Sequence, residues 1–204
     1  MNKRAFTLAE VLITIGIIGV VAAMTIPVLV QNYKKSVVET RLAKFYSVIN
    51  QAIKMSEIDN SETEYWDALT LRKSEEWYKK YLAKYLKPLK VEYNELHNVN
   101  VVDIYFADGS LLSISAYGWN FCPVAANWSK ESKLAGREYF PFMFRVEEGA
   151  VMPYEYGGQE YETVEEFLND SYFGCRADTS NPAHCTKLIQ MNGWKIPKDY
   201  PFKF

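Results

Sequence analysis

From Val11 to Val30 the chain runs through twenty residues without a charge. As a helix this run is about 30 Å long, enough to cross a bilayer core. Gly16, Gly19 and Pro27 interrupt it, and membrane helices tolerate both residue types better than soluble ones. Beyond it the pattern changes. Tyr33, Val37, Val38, Leu42, Phe45, Ile49, Ala52 and Ile53 recur at three- and four-residue steps, the stripe of an amphipathic helix. Lys34, Lys35, Glu39, Arg41 and Lys44 fall mostly off that stripe. The two patterns predict one long helix from Phe6 to about Ile58, kinked or locally unwound near Pro27, where a backbone donor is missing. Its first half suits a membrane and its second half suits a globular head.

The remaining residues alternate short helical and strand signals. Ser61-Glu62-Thr63-Glu64 has capping-box spacing and predicts a short helix. From Ser74, the residues Trp77, Tyr78, Tyr81, Leu82, Tyr85 and Leu86 form a second helical stripe that ends near Pro88. Val101 to Phe106 and Leu111 to Ser115 flank Ala107-Asp108-Gly109-Ser110, which predicts a hairpin. Tyr139 to Val146 predicts a third strand, closed by a turn at Glu147-Glu148-Gly149. Thr163-Val164-Glu165-Glu166 is a second capping box, before a helix through Leu168. Asn181-Pro182 and Gly193 suit the two ends of a last short helix. A long helix followed by antiparallel strands is an α+β order: a long N-terminal helix packed on a small antiparallel-sheet head. Hydrophobic residues make up 49% of the chain, which excludes a disordered head.

The N-terminal residues narrow the function. A cleaved secretory signal, with Val21-Ala22-Ala23 as its exit, and a plain membrane anchor both use a basic end and an apolar run. Neither explains why Glu10 stands at the mouth of the run, since a carboxylate entering hydrocarbon costs free energy unless paired. Lys3, Arg4, Ala5, Phe6, Thr7, Leu8 and Glu10 together resemble the type IV prepilin signature, shared by type IV pilins and the pseudopilins of type II secretion. The resemblance implies cleavage between Ala5 and Phe6 by a prepilin peptidase, which then methylates the new Phe6 amine. The family usually places Gly where this chain has Ala5; Ala is nearly as small. The resemblance further implies four segments: a leader at 1–5, a transmembrane half-helix at 6–30, an amphipathic half at 31–58 and an extracytoplasmic head at 59–204. It implies a single pass through the inner membrane with the N-terminus cytoplasmic, then a place in a pilus or pseudopilus. The implied partners are the peptidase, other pilin or pseudopilin subunits, an inner-membrane assembly platform and membrane lipid.

In that setting Glu10 acquires a role. Its plain reading is an interfacial residue whose carboxylate reaches headgroup water. The resemblance implies instead that Glu10 meets the Phe6 amine of a neighbouring subunit and sets axial register. An ion pair in low dielectric is directional, and an unpaired charge there is penalised.

The other candidates are weaker. Cys175 and Cys185 bracket a polar loop, and Cys122 is the third cysteine. Outside the cytoplasm a disulfide is allowed. Pilins often carry a disulfide-bounded loop near the C-terminus, which favours Cys175–Cys185 and leaves pairing with Cys122 as the alternative. Residues 1–100 hold 14 basic and 11 acidic side chains, net +3, and the rest are net −5. Arg72, Lys73, Lys79, Lys80, Lys84, Lys87 and Lys90 form a basic stretch. Some pilins bind DNA, so the alternative function is a minor-pilin binding module that holds DNA or a surface partner through the head; for the basic stretch the plainer reading is a solvated helix face. Glu147, Glu148, Glu155, Glu160, Glu162, Glu165, Glu166 and Asp170 form an acidic stretch without the spacing of a calcium loop. His97 and His184 are the candidate histidine bases, and Cys122 with His97 is conceivable as a thiol pair, but neither lies in a recognisable nucleophile motif. The expectation is no enzyme, no metal and no cofactor.

Overall fold

The structure, a computed structural model, describes residues 7–128, 134–155, 161 and 163–204. Helix α1 spans Leu8–Asn60. It runs unbroken through Pro27, so the local unwinding expected there does not occur; one missing donor is carried by the intact bonds of adjacent turns. Two compact units divide the chain, residues 1–36 and 37–203. In the first, the apolar side chains from Leu8 to Val30 are exposed on all sides. The segment is long and apolar enough to cross a membrane.

In the second unit, Val38, Leu42, Phe45, Ile49, Ala52 and Ile53 of α1 are buried. This is the predicted stripe without its first two members, since Tyr33 is exposed and Val37 half-buried. The stripe packs on a six-stranded antiparallel meander in strand order β1-β2-β3-β4-β5-β6. The strands are β1 (Lys90–Leu96), β2 (Val99–Tyr105), β3 (Leu111–Ser115), β4 (Gly118–Cys122), β5 (Phe140–Arg145) and β6 (Ala150–Pro153). The predicted hairpin is β2–β3, and the predicted third strand is β5.

Strand register sorts the side chains by face. Val102, Ile104, Leu112, Ile114, Trp119, Phe121, Phe140, Phe142 and Val151 share the buried face. Phe45 stacks on Phe121 at 4.2 Å and meets Phe142 edge-on at 5.0 Å. Helix α2 (Ser74–Tyr81) drives Trp77 into the same layer, edge-to-face with Trp119. Trp66 stacks on Tyr81 at 4.3 Å beside it. Asn50 of α1 closes one sheet edge: its amide donates to the Val151 carbonyl at 3.0 Å and its Oδ1 accepts the Val151 N–H at 2.8 Å. That satisfies backbone groups that would otherwise offer a pairing template.

Two local expectations fail for identifiable reasons. The Ser61–Glu64 box forms only a 3-10 turn, Thr63–Tyr65, without a side-chain cap. Ser61 sits at φ +68°, and the Thr63 hydroxyl donates to the Val146 carbonyl instead. The stripe from Ser74 is helical only to Tyr81; Leu82 and Leu86 are buried from the turns that follow. The Thr163 cap does form: Thr163 Oγ1 accepts from Glu166 N at 3.1 Å and opens α3 (Val164–Leu168). The last helix, α4 (Cys185–Met191), starts later than Asn181-Pro182 suggests, and Gly193 at φ +64° follows its end.

Candidate functional site

The N-terminal candidates are Lys3, Arg4, Ala5, Phe6 and Glu10. The first four lie outside the described residues. Glu10 is described, and it forms a contact that the sequence analysis overlooked. Thr7 is the N-cap of α1, and Glu10 is its third helical residue. Glu10 Oε2 accepts the Thr7 N–H at 2.8 Å and the Thr7 hydroxyl at 2.8 Å, while Thr7 Oγ1 accepts the Glu10 N–H at 3.2 Å. This is a complete capping box, which satisfies donors that a helix N-terminus leaves unpaired. The T-x-x-E spacing carries that signal in the sequence. The carboxylate therefore has a partner within its own chain.

Near the C-terminus Cys175 and Cys185 form a disulfide. Closing a ten-residue separation contributes about 2.5–3 kcal/mol by loop-closure entropy. The enclosed loop is ordered by its own polar groups. Thr179 Oγ1 donates to the Gly174 carbonyl at 2.9 Å, and Arg176 pairs with Asp178. His184 is fully buried and stacks on Phe167 at 3.8 Å. Its Nδ1 lies 2.7 Å from the Phe167 carbonyl and so carries the proton; Nε2 is buried without a partner. Burial pushes the His184 pKa below its ordinary value. Gly136, at φ +76°, lies against the disulfide: a Cβ there would sit 2.7 Å from Cys185 Cβ and 2.9 Å from its Sγ. Only glycine allows that approach.

Glu39 was expected off the packed stripe and is instead buried. Its Oε2 lies 3.0 Å from Lys195 Nζ, and its Oε1 accepts the Ile196 N–H at 2.9 Å. The C-terminal segment is thus tied to α1.

The other candidates do not assemble into chemistry. Cys122 and His97 stand at opposite ends of the sheet: Cys122 registers with Leu111, which registers with Tyr105, while His97 lies in the turn before Val99. The Cys122 thiol is buried against the Val124 and Glu138 carbonyls. In the basic stretch, Lys79, Lys80, Lys84 and Lys90 each pair with a carboxylate, Glu75, Asp67, Asp59 and Glu92 respectively. Such pairing supports a solvated face over a phosphate track. Hydrogen bonding to Lys84 and Tyr85 lowers the Asp59 pKa, and hydrogen bonding to Asp67 pushes Lys80 higher. In the acidic stretch, Glu160 and Glu162 lie outside the described residues, and Glu155 pairs with Lys187 at 2.7 Å. Among the described residues no three His, Cys, Asp or Glu side chains are placed to hold a metal ion.

Residues 1–26 match the prokaryotic N-terminal methylation motif. That match, with the apolar helix and the disulfide, supports a type IV pilin-like or pseudopilin subunit whose motif implies a prepilin peptidase and other pilins as partners. No curated protein and no solved structure matches the chain. Residues 28–204 match a family of unknown function, DUF6613, and the chain belongs to that family.

Proposed function

We propose that this protein is a pilin-like structural subunit of a type IV pilus or a type II secretion pseudopilus. Residues 1–5 are a leader removed between Ala5 and Phe6 by a prepilin peptidase, which recognises Lys3 and Arg4 and methylates Phe6. Residues 6–30 hold the subunit in the inner membrane with its N-terminus cytoplasmic. Residues 31–58 continue that helix, and residues 59–204 form the extracytoplasmic head. An inner-membrane platform then extracts the subunit into a filament by helix packing, with Glu10 setting register against the Phe6 amine of a neighbour.

The observation that carries this reading is the methylation motif lying at the start of a helix that runs on, unbroken, to Asn60. A disposable signal needs no such continuation. The polypeptide's role in this reading is mechanical rather than catalytic. Mass spectrometry of the mature N-terminus is the test. A methylated Phe6 terminus is expected. A terminus at Met24 would mark a signal-peptidase product, and an intact Met1 a plain anchor; either result overturns the assignment.

A further inference from the structure

The first compact unit holds one residue from the far end of the sequence: Phe204 groups with residues 1–36. Lys203, its covalent neighbour, belongs to the unit that starts at Val37, and Ile196 is bonded to Glu39. Phe204 therefore sits at the Ser36 end of the first unit and not at its Leu8 end. Lys203 and Phe202 lie within about 7 Å of it along the chain. Helix geometry gives this level its depth. The charge-free run ends at Val30, and Tyr33, Lys34 and Lys35 follow in the same helix, about 4.5–7.5 Å further along the axis. A run that fills a hydrocarbon core of about 30 Å leaves a polar layer about 5–7 Å deep beyond it. Tyr33, Lys34 and Lys35 fall in that layer.

The side chains at this level have the make-up of a membrane interface. Tyr33 is 69% exposed, and Phe202 and Phe204 are half-buried. Aromatic rings favour the headgroup level, where apolar and wet surroundings meet. Lys34 and Lys203 are exposed and Lys35 is half-buried. Among the described residues none of these three lysines has a carboxylate partner. Between Glu10 and Glu39 the sequence has no acid, and Glu39 is taken by Lys195 and the Ile196 N–H. The nearest acid before Lys203 is Asp199, which is not paired with it. Unpaired lysines at this depth are attracted by an anionic lipid surface.

We infer that Phe202-Lys203-Phe204 is a second membrane contact, an interfacial foot that lies with Tyr33, Lys34 and Lys35 in the headgroup layer of anionic phospholipid on the head's side of the bilayer. The two Phe rings enter at the boundary of the acyl chains, and the lysines meet lipid phosphates. The inference rests on the proposed reading that residues 6–30 lie in the membrane. The foot sets the height and tilt of the head over the bilayer before assembly, and extraction into a filament must break it.

The test uses the full-length chain in nanodiscs of mixed phosphatidylglycerol and phosphatidylcholine. The photoreactive residue p-benzoylphenylalanine replaces Phe204, Phe202, Ile13 or Tyr117, one at a time, and lipid adducts are read by peptide mass spectrometry after illumination. Ile13 lies inside the apolar run and reports whether α1 is in the bilayer. Tyr117 is exposed in the β3–β4 turn, at the end of the sheet away from the Arg41–Pro123 contact. Adducts are expected at Ile13, Phe204 and Phe202 and not at Tyr117. The Phe204 yield should fall about fivefold or more in phosphatidylcholine alone, and likewise when Lys34→Gln and Lys203→Gln are combined. Adducts at Ile13 with none at Phe204 or Phe202, in variants whose thermal melting is unchanged, would overturn the foot and leave the membrane segment standing. No adduct at Ile13 would overturn the membrane reading and the foot with it. An equal Phe204 yield in phosphatidylcholine alone, equal adducts at Tyr117, or cross-links from Phe204 to protein in place of lipid would each overturn the inference.

Discussion

Glu10 caps its own helix and, in the proposed filament, would set register as well; one pair of substitutions divides the two. Within its own chain the carboxylate completes a capping box through contacts of 2.8, 2.8 and 3.2 Å. Such a cap is worth about 0.5–2 kcal/mol to a helix end. In the proposed filament, the same carboxylate would neutralise a neighbour's Phe6 amine in low dielectric. Leaving one member of a buried pair unmatched costs about 3–5 kcal/mol. Glu10→Gln preserves the cap, because a Gln side-chain oxygen can also accept the Thr7 N–H, but it abolishes the charge. Glu10→Ala removes both.

If register is set by charge, both variants should insert and be cleaved normally yet fail to assemble. A loss of 3–5 kcal/mol corresponds to roughly 10²- to 4 × 10³-fold less incorporation, since about 1.4 kcal/mol is tenfold. The additional loss in Glu10→Ala over Glu10→Gln should be only about tenfold, the worth of the cap. The assay compares subunit in sheared filaments with subunit in membranes, together with N-terminal processing. Wild-type assembly by Glu10→Gln, with failure only of Glu10→Ala, would refute the charge argument and leave Glu10 as a helix cap alone.

Two further predictions concern the head. Glu39→Ala orphans the Ile196 N–H and removes the Lys195 pair, but Lys195 is 67% exposed and its ionic share is small. The expected loss is therefore about 2–3 kcal/mol, a drop of roughly 5–10 °C in melting temperature, against about 0.5 kcal/mol for Lys195→Ala; equal losses would show that the ion pair, not the backbone contact, does the holding. His184 is buried as the neutral base, so its folded pKa lies below the ordinary 6.5 despite attraction from Asp170 and Glu155. Below pH 6.5 the unfolded chain takes up a proton that the folded chain refuses. Stability is thus full above pH 6.5 and falls as pH drops, by at most about 1.4 kcal/mol per unit. Urea midpoints measured from about pH 7 to 5 should show this slope, and His184→Phe should flatten it.

How much of this was legible depended on the range of each signal. The stripe from Val38 to Ile53 and the Asp108-Gly109 hairpin are local patterns, and both folded as read. Strands β1, β4 and β6 were missed. In β1 the alternation of Lys90-Val91-Glu92-Tyr93-Asn94-Glu95 is present, but it lies at the end of a run of lysines that reads as solvated surface. Strands β4 and β6 have five and four residues, and unlike the equally short β3 neither is flagged by an Asp-Gly turn. The Ser61 box failed because a capping pattern says nothing of φ +68° at Ser61, or of the Val146 carbonyl that takes the Thr63 hydroxyl. Glu39 could not have been placed at all. Its partners lie 156 and 157 residues away, and no local spacing encodes them.

The two family matches meet at residue 27: the methylation motif ends at 26 and the head family begins at 28. Pro27 stands at that junction, within one continuous helix. The apolar side chains of α1 from Leu8 to Val30 are exposed, as a segment able to cross a membrane requires. The second half answers to Phe121 and Phe142, Val151 and the C-terminal strap at Lys195-Ile196. Substitutions in residues 11–30 that keep apolar character should therefore leave the head's folding untouched. Shortening Phe45 or Ile49 should unfold the head without touching the proposed cleavage site. Pro27, whose missing donor a membrane helix tolerates, can mark the boundary because neither half needs that one hydrogen bond.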